Sequence, residues 1–271
     1  MGLKTFLIAV AVFCMAGSAV AAQPEPWQIT FQEPASPVMR MIEEFNITIS
    51  VVIILITVLV VVLMIIVFFR FNEKANPVPS KTTHNTLIEV MWTALPVIIL
   101  ALISIPSFKL LYFQDRHPDP EMTLKVIGHQ WYWTYEYPDH GGVAFDSNIV
   151  PDDELQEGQP RLLAVDNKVV LPVDTNIRIL TTSDDVIHNW AVPSFGLKVE
   201  AIPGRTNESW VRIEKEDTYY GMCSELCGVN HGFMPIAVEA VSKEAFALWI
   251  AEARKKFADG VPHPRLAARQ E

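Results

Sequence analysis

Two cysteines, a histidine and a methionine fall within twelve residues, Cys223-Ser-Glu-Leu-Cys227-Gly-Val-Asn-His231-Gly-Phe-Met234. Thiolate, imidazole and thioether are soft or borderline donors, the set that selects copper, zinc or iron over calcium and magnesium. A second imidazole stands upstream in Asp185-Val-Ile-His188-Asn-Trp. One Cys, two His and one Met would suffice for a single blue-copper ion. A second thiolate four residues on changes the problem, because each sulfur can bridge two metals, and the set then fits a pair of copper ions. Two other uses of these residues compete. Paired cysteines in an exported protein commonly form a disulfide, and Cys and His are the usual ligands of zinc, which has little use for the Met. Cys223, Cys227 and His231 would share one face of a helix, but Gly221, Gly228, Gly232 and Pro235 point instead to a loop between strands.

The elements that must position this loop divide the chain in three. Residues 1–22 read as a secretory signal, with Lys4 at its start, an apolar core from Phe6 to Met15, and Ala19-Val-Ala-Ala22 as the cleavage site. The bulky Phe13 before Cys14 argues against lipidation there. Cleavage after Ala22 leaves Cys223 and Cys227 with no further thiol to pair with. Residues 23–109 hold two uncharged runs, the 25 residues from Phe45 to Phe69 and the 19 from Val90 to Phe108. Each is long enough to cross ~30 Å of hydrocarbon as a helix. Pro96 and Pro106 in the second run are tolerated where neighbouring helices satisfy the freed carbonyls. The connection carries Arg70, Lys74 and Lys81, against Arg40 alone before the first run, so the positive-inside rule places it in the cytoplasm. Residues 110–271 then return to the exported side.

That third region reads as an all-β sandwich. Strands are expected at 121–137, 162–171, 176–182, 208–213, 218–221 and 235–241, separated by turn residues. A closing helix is expected after Ser242 as its cap, with Glu244 in its first turn, Arg254-Lys-Lys256 at its end, and Ala245, Leu248, Trp249 and Ala253 as its apolar stripe. Strands hold ligand loops rigidly, which suits a metal relaying electrons better than one that makes bonds. The formal net charge of −10 is localised, with 18 Asp or Glu against 8 Lys or Arg between Asp119 and Asp217. Such a field excludes nucleic acid as a partner and favours a basic protein.

The copper loop, together with Gly128-His-Gln-Trp-Tyr-Trp133, Asp185-Val-Ile-His188, Pro203-Gly-Arg205 and the two-run anchor, resembles subunit II of the heme–copper cytochrome c oxidases. The likeness is to bacterial members with a cleaved leader, and it spans nearly the whole mature chain. It implies a two-helix transmembrane hairpin followed by a cupredoxin-like Greek-key sandwich, set in the bacterial inner membrane with the C-terminal domain in the periplasm. It implies a dinuclear CuA centre in which Cys223 and Cys227 bridge the coppers, His188 and His231 cap one each, and Met234 and the carbonyl of Glu225 are weak ligands. The Glu225 carboxylate is implied to reach a magnesium ion shared with subunit I. Trp131 is implied to take up the electron from cytochrome c, docked by Glu136, Asp139, Asp146 and Asp185. Glu89 is implied to serve proton uptake at the cytoplasmic side. Subunits I and III and membrane lipid are the implied neighbours, with oxygen reduction in subunit I. The copper ligands argue against a quinol oxidase subunit, the chain length against a nitrous oxide reductase, and the tryptophan run against a tethered copper chaperone.

Overall fold

The computed structural model describes residues 23–257; the expected signal, residues 1–22, lies outside the described residues. The chain divides into two compact units. One is the hairpin Pro37–Arg116, and the other joins the described residues on either side of it, 23–36 and 117–257.

In the hairpin, α1 spans Pro37–Arg70 and α2 spans Thr86–Asp115. At 1.5 Å per residue their 34 and 30 residues run about 50 and about 45 Å, so each outlasts a ~30 Å hydrocarbon layer. Both uncharged runs lie inside them. Asn85 caps α2, its Oδ1 accepting from the amides of Leu87 and Ile88 at 3.1 and 3.2 Å. Glu89 completes the cap from the first turn, its Oε1 accepting from the Asn85 amide at 3.3 Å. Pro96 and Pro106 sit inside α2 without ending it. The apolar side chains from Ile47 to Phe69 are largely exposed within this chain, the condition of a helix covered by something other than its own domain.

The second unit is a sandwich of two five-stranded sheets. The first sheet runs β3 (Val143–Ser147), β2 (Tyr132–Tyr137), β1 (Met122–His129), β5 (Ile177–Ser183) and β8 (Asn207–Val211). The second runs β4 (Val169–Pro172), β10 (Pro235–Val241), β9 (Asp217–Cys223), β6 (His188–Val192) and β7 (Leu197–Ala201). Strands distant in sequence lie side by side, as in a Greek key. β1 pairs parallel with β5, and β4 parallel with β10. Alternation drives the packing: along β5 every second residue is buried. The inner faces meet in a core that includes Leu124, Trp133, Tyr135, Phe145, Ile179, Trp190 and Ile236.

Three local expectations give way to tertiary structure. The β-prone stretch 121–137 is two strands, turned at Gln130-Trp131. No Gly or Pro marks that turn, because contacts made across the fold hold it. Of the expected strand 162–171 only 169–171 is in a strand, which runs on to Pro172. Leu163 and Ala164 fold back onto the Pro160 carbonyl, and Asp166 accepts from the amides of Asn148 and Asn167. The closing helix, α3 (Lys243–Lys256), is capped by Ser242 as expected, but it buries Phe246, Ile250 and Ala253 and leaves Leu248 exposed. The i, i+3, i+4, i+7 series from Phe246 is the true apolar face.

Residues 23–36, the N-terminal segment ahead of the first membrane helix, belong by their contacts to the sandwich unit. Their last residues are fastened to the sandwich. The Ala35 amide donates to the Ser194 carbonyl at 2.8 Å, the Glu214 amide to Ala35 at 3.0 Å, and the Ser36 hydroxyl to the Phe195 carbonyl at 2.7 Å.

One glycine sets the spacing of the two strands that matter most. β6 and β9 pair through Trp190↔Cys223 and Ala191↔Met222. A Cβ on Gly221 would lie 2.0 Å from the Ala191 carbonyl oxygen, so any side chain there would wedge these strands apart.

Candidate metal centre

β6 and β9 deliver the first two ligands side by side. His188 opens β6, and Cys223 closes β9. The chain then loops outward through Cys227 and a 3-10 turn, His231–Phe233, before Met234 leads into β10. Backbone bonds close the loop at its base: the Cys223 amide donates to Met234 and the Ser224 amide to Asn189. Both cysteines are free and buried, and their sulfurs stand 3.8 Å apart, far beyond a disulfide bond. His188 Nδ1 lies 3.9 Å from the Cys223 sulfur. His231 Nδ1 lies 3.5 Å from that of Cys227. Each sulfur also has one weaker donor atom beside it, the Glu225 carbonyl at 3.4 Å from Cys223 and the Met234 Sδ at 3.5 Å from Cys227. The ligand atoms of His188, Cys223 and Cys227 lie within 4.8 Å of one another and could together hold a metal ion.

The protonation of this cluster is set by its own members. Burial pushes the Cys223 thiol up, but bonding to His188 and to the backbone at Glu225 and Asn189 outweighs it and brings the pKa down to about 7. Burial and the charge on Cys223 push Cys227 up to about 12. The pair therefore gives up one proton readily and resists losing the second, as two like charges in contact must. A bound cation would remove that resistance. His188 is oriented from behind: its Nε2 lies 2.8 Å from Asp185 Oδ1, which turns Nδ1 to the sulfur. Burial works against the Asp185 charge, but bonds from His188 and from the Val186 and Gln130 amides hold its carboxyl below the usual range.

The comparisons with known proteins decide what carries this centre. A family profile described as the periplasmic domain of cytochrome c oxidase subunit II matches residues 122–241, and its transmembrane counterpart matches residues 24–110. The probable cytochrome c oxidase subunit 2 of Rickettsia felis is 48% identical over 268 residues, covering 98% of this chain and 85% of that protein. The chain belongs to the cytochrome c oxidase subunit II family. The subunit 2 of the plant Oenothera berteroana is 49% identical over 233 residues, covering 84% of this chain and 90% of its own. The solved periplasmic domain of subunit II from Bradyrhizobium japonicum is 50% identical, covers 52% of this chain and 99% of its own, and superposes with a TM-score of 0.49. This subunit II is thus a membrane protein with its C-terminal domain outside the bilayer, and it is part of an oxidoreductase complex of the heme–copper oxidases.

The remaining residues singled out in the sequence are dispersed around the centre. Trp131 is half-buried in the β1–β2 turn, and its indole N–H donates to the Cys227 carbonyl at 3.2 Å. The side chain of Glu225 is exposed. Glu89 lies in the other unit, in its helix cap. The four expected docking acids all have partners within the sandwich. Glu136 pairs with Lys125 at 2.9 Å, Asp139 accepts from the Thr123 amide at 2.6 Å, and Asp146 accepts from Thr134 Oγ1 at 2.5 Å. Asp185, expected as the best-placed docking acid, has both oxygens engaged, one by His188 and the other by the Gln130 amide at 2.6 Å.

Two residues of this subunit II support the ligands without any chemistry of their own, and the sequence reading passed over both. Gln130 donates from Nε2 to the Cys227 carbonyl at 2.7 Å. Gly128 is bare because a Cβ there would stand 2.7 Å from His188 Cδ2. The signal was present, since both lie in the quoted motif around Trp131, but nothing local says what a missing side chain makes room for. A Gly128→Ala variant should fold and yet displace the His188 ring, lowering metal affinity by about 10- to 100-fold as losses of ligand support do. Wild-type affinity in a competitive chelator titration would refute this assignment.

Proposed function

We propose that this subunit II binds two copper ions between Cys223 and Cys227, accepts electrons there from cytochrome c, and passes them to the heme–copper subunit that reduces oxygen to water. One observation carries the reading: the donors fall into two matching sets. Cys223 stands with His188 and the Glu225 carbonyl, and Cys227 with His231 and Met234. A single zinc would need four donors and leave the rest idle. When bound, the copper pair supplies one-electron chemistry, filling and emptying without making or breaking a bond. The chain's own part is to hold the two sulfurs apart, present each imidazole through Nδ1, and keep water from the buried side.

Trp131 is the proposed point of electron uptake, because its half-exposed indole is hydrogen-bonded straight to the carbonyl of a copper ligand. The acidic field supports a basic donor such as cytochrome c. With Glu136, Asp139, Asp146 and Asp185 all partnered, their proposed part in docking is as a summed negative potential rather than as separate contacts. Leu226, Val229 and Phe233 expose apolar surface around the ligands, which suits a face covered by the partner subunit. The Glu225 carboxylate on that loop is an oxygen donor of the kind magnesium prefers, and we assign it to the magnesium shared with subunit I. Glu89, in the first turn of α2, is assigned to proton uptake on the cytoplasmic side, in support of proton translocation. The positive-inside bias and the family together favour the bacterial inner membrane, with the sandwich in the periplasm and subunit III as a further neighbour.

Purified full-length chain should bind about two copper ions and show a near-infrared band that Cys223→Ser abolishes. A single metal ion per chain, or a Cys223–Cys227 disulfide in the copper-loaded protein, would overturn the proposal. In the oxidase, Trp131→Gln should slow reduction by cytochrome c at least ~10-fold with copper content unchanged, whereas Glu89→Ala should slow turnover and spare that reduction step. Stopped-flow traces at the wild-type rate for the first variant, or unimpaired turnover for the second, would contradict the respective role. The Michaelis constant for cytochrome c should rise with salt as the screening length contracts toward ~8 Å at physiological ionic strength; a flat response would remove electrostatic docking.

A further inference from the structure

Beside the metal centre, four side chains form a hydrogen-bonded chain, of which the reading above uses only the charge of Asp146. His129 ends β1. Its Nδ1 lies 2.8 Å from Oδ1 of Asp184, in the loop between β5 and β6. Its Nε2 lies 2.9 Å from Oγ1 of Thr134 on β2. Thr134 Oγ1 in turn lies 2.5 Å from Oδ1 of Asp146 on β3. Thr134 is buried, and the His129 side chain is only 13% exposed.

Three such contacts need three hydrogens. A neutral imidazole brings one, the threonine hydroxyl one, and ionised carboxylates none. The chain is therefore one proton short unless it holds an additional one. The carboxylate of Asp146 can only accept, so the Thr134 hydroxyl donates to it. Thr134 then has only its lone pairs to offer His129, so Nε2 must donate. Asp184 can only accept, so Nδ1 must donate as well. Both ring nitrogens carry hydrogen, and the proton sits on the imidazole, the most basic member.

The other groups facing this ring are acidic or neutral. Tyr132 stacks on it, with centroids 4.4 Å apart and planes inclined by 4°. Burial first, and then Asp146, Asp184 and Asp185, raise the Tyr132 pKa, so its hydroxyl stays un-ionised. Asp185 stands next to Asp184 and accepts from the amide of Gln130, the residue after His129. The protonated ring thus fastens the base of the Gln130-Trp131 turn to the loop that leads into His188. Gln130 and Trp131 fasten its tip to the Cys227 carbonyl.

We propose that His129 is a positioning residue for electron uptake: protonated between Asp184 and Thr134–Asp146, it locks the turn that presents Trp131. The functional half of this inference rests on Trp131 being the uptake point. Replacing the imidazole removes the additional proton. One of the three bonds must then be lost, and the turn loosens.

The test uses the whole oxidase with 15N-labelled histidine and tryptophan, read by solid-state NMR in wild type and His129→Gln. A glutamine amide cannot donate in two opposed directions, so the variant breaks the chain at every pH. Both ring nitrogens of His129 should appear as N–H near neutral pH. In H129Q the Trp131 indole N–H should exchange about 10-fold faster or more, with copper content unchanged. Reduction by cytochrome c should be slower in H129Q than in wild type. A singly protonated ring, unchanged indole exchange, or reduction of H129Q at the wild-type rate would each overturn the inference. If Trp131→Gln itself reduces normally, the uptake reading has failed, and the ring and exchange signals still decide whether His129 locks the turn.

Discussion

Two buried sulfurs held 3.8 Å apart without a bond between them are the constraint around which the sandwich is organised. Left to themselves, thiols this close in an oxidising compartment would join, and thiolates this close would repel. The fold prevents the first by tying the loop ends to different strands, Cys223 to the end of β9 and Met234 to the start of β10. It moderates the second by giving Cys223 a hydrogen-bonding imidazole and leaving Cys227 protonated until a cation arrives. Gly221 allows β6 and β9 the close approach that brings His188 to Cys223, and Gly128 leaves room for the imidazole once it is there. Positions with no side chain thus set the arrangement of the donor atoms as firmly as the donors themselves do.

The loop is also held from outside. The Cys227 carbonyl accepts from both Gln130 and Trp131, and the Met234 carbonyl accepts from the Trp133 indole at 3.3 Å. A Cβ on Gly228, whose φ is +124°, would come within 3.0 Å of the Trp131 ring. The β1–β2 turn and the metal loop therefore move as one body. The proposed relay of electrons would benefit from this, because little would have to rearrange when the charge on the centre changed. The same rigidity explains why Asp185 contributes little as a free surface charge: its oxygens orient His188 and close the turn.

Much of this could be read in the sequence. The clustering of His188, Cys223, Cys227, His231 and Met234 was legible because soft donors at close spacing have few alternative uses, and the membrane helices because uncharged runs of that length have almost none. The closing helix was legible at its ends, through Ser242 and Glu244, but not along its face, where Phe246 rather than Ala245 leads the buried series. What escaped were features fixed by distant partners. The Gln130-Trp131 turn has no turn residues because it is held by Asp185 and Cys227, and the stretch 162–168 is β-prone in composition yet folds onto Pro160. The partners of Glu136, Asp139 and Asp146 were invisible for the same reason, since pairing across a sheet depends on register that spacing alone does not give.

The short segment ahead of the first membrane helix gives the assembly a direction in time. Ser36 bonds to a residue 159 positions away, with both membrane crossings made in between. Translation delivers this peptide before its partners at Ser194, Phe195 and Glu214, which come far later. Ring closure over such a length is entropically slow, so the peptide waits exposed while the rest of the polypeptide is threaded across the bilayer. Completion of the exported half thus reports that both crossings have been made, because the loss of either one would leave the two ends of this seam on opposite sides of the membrane.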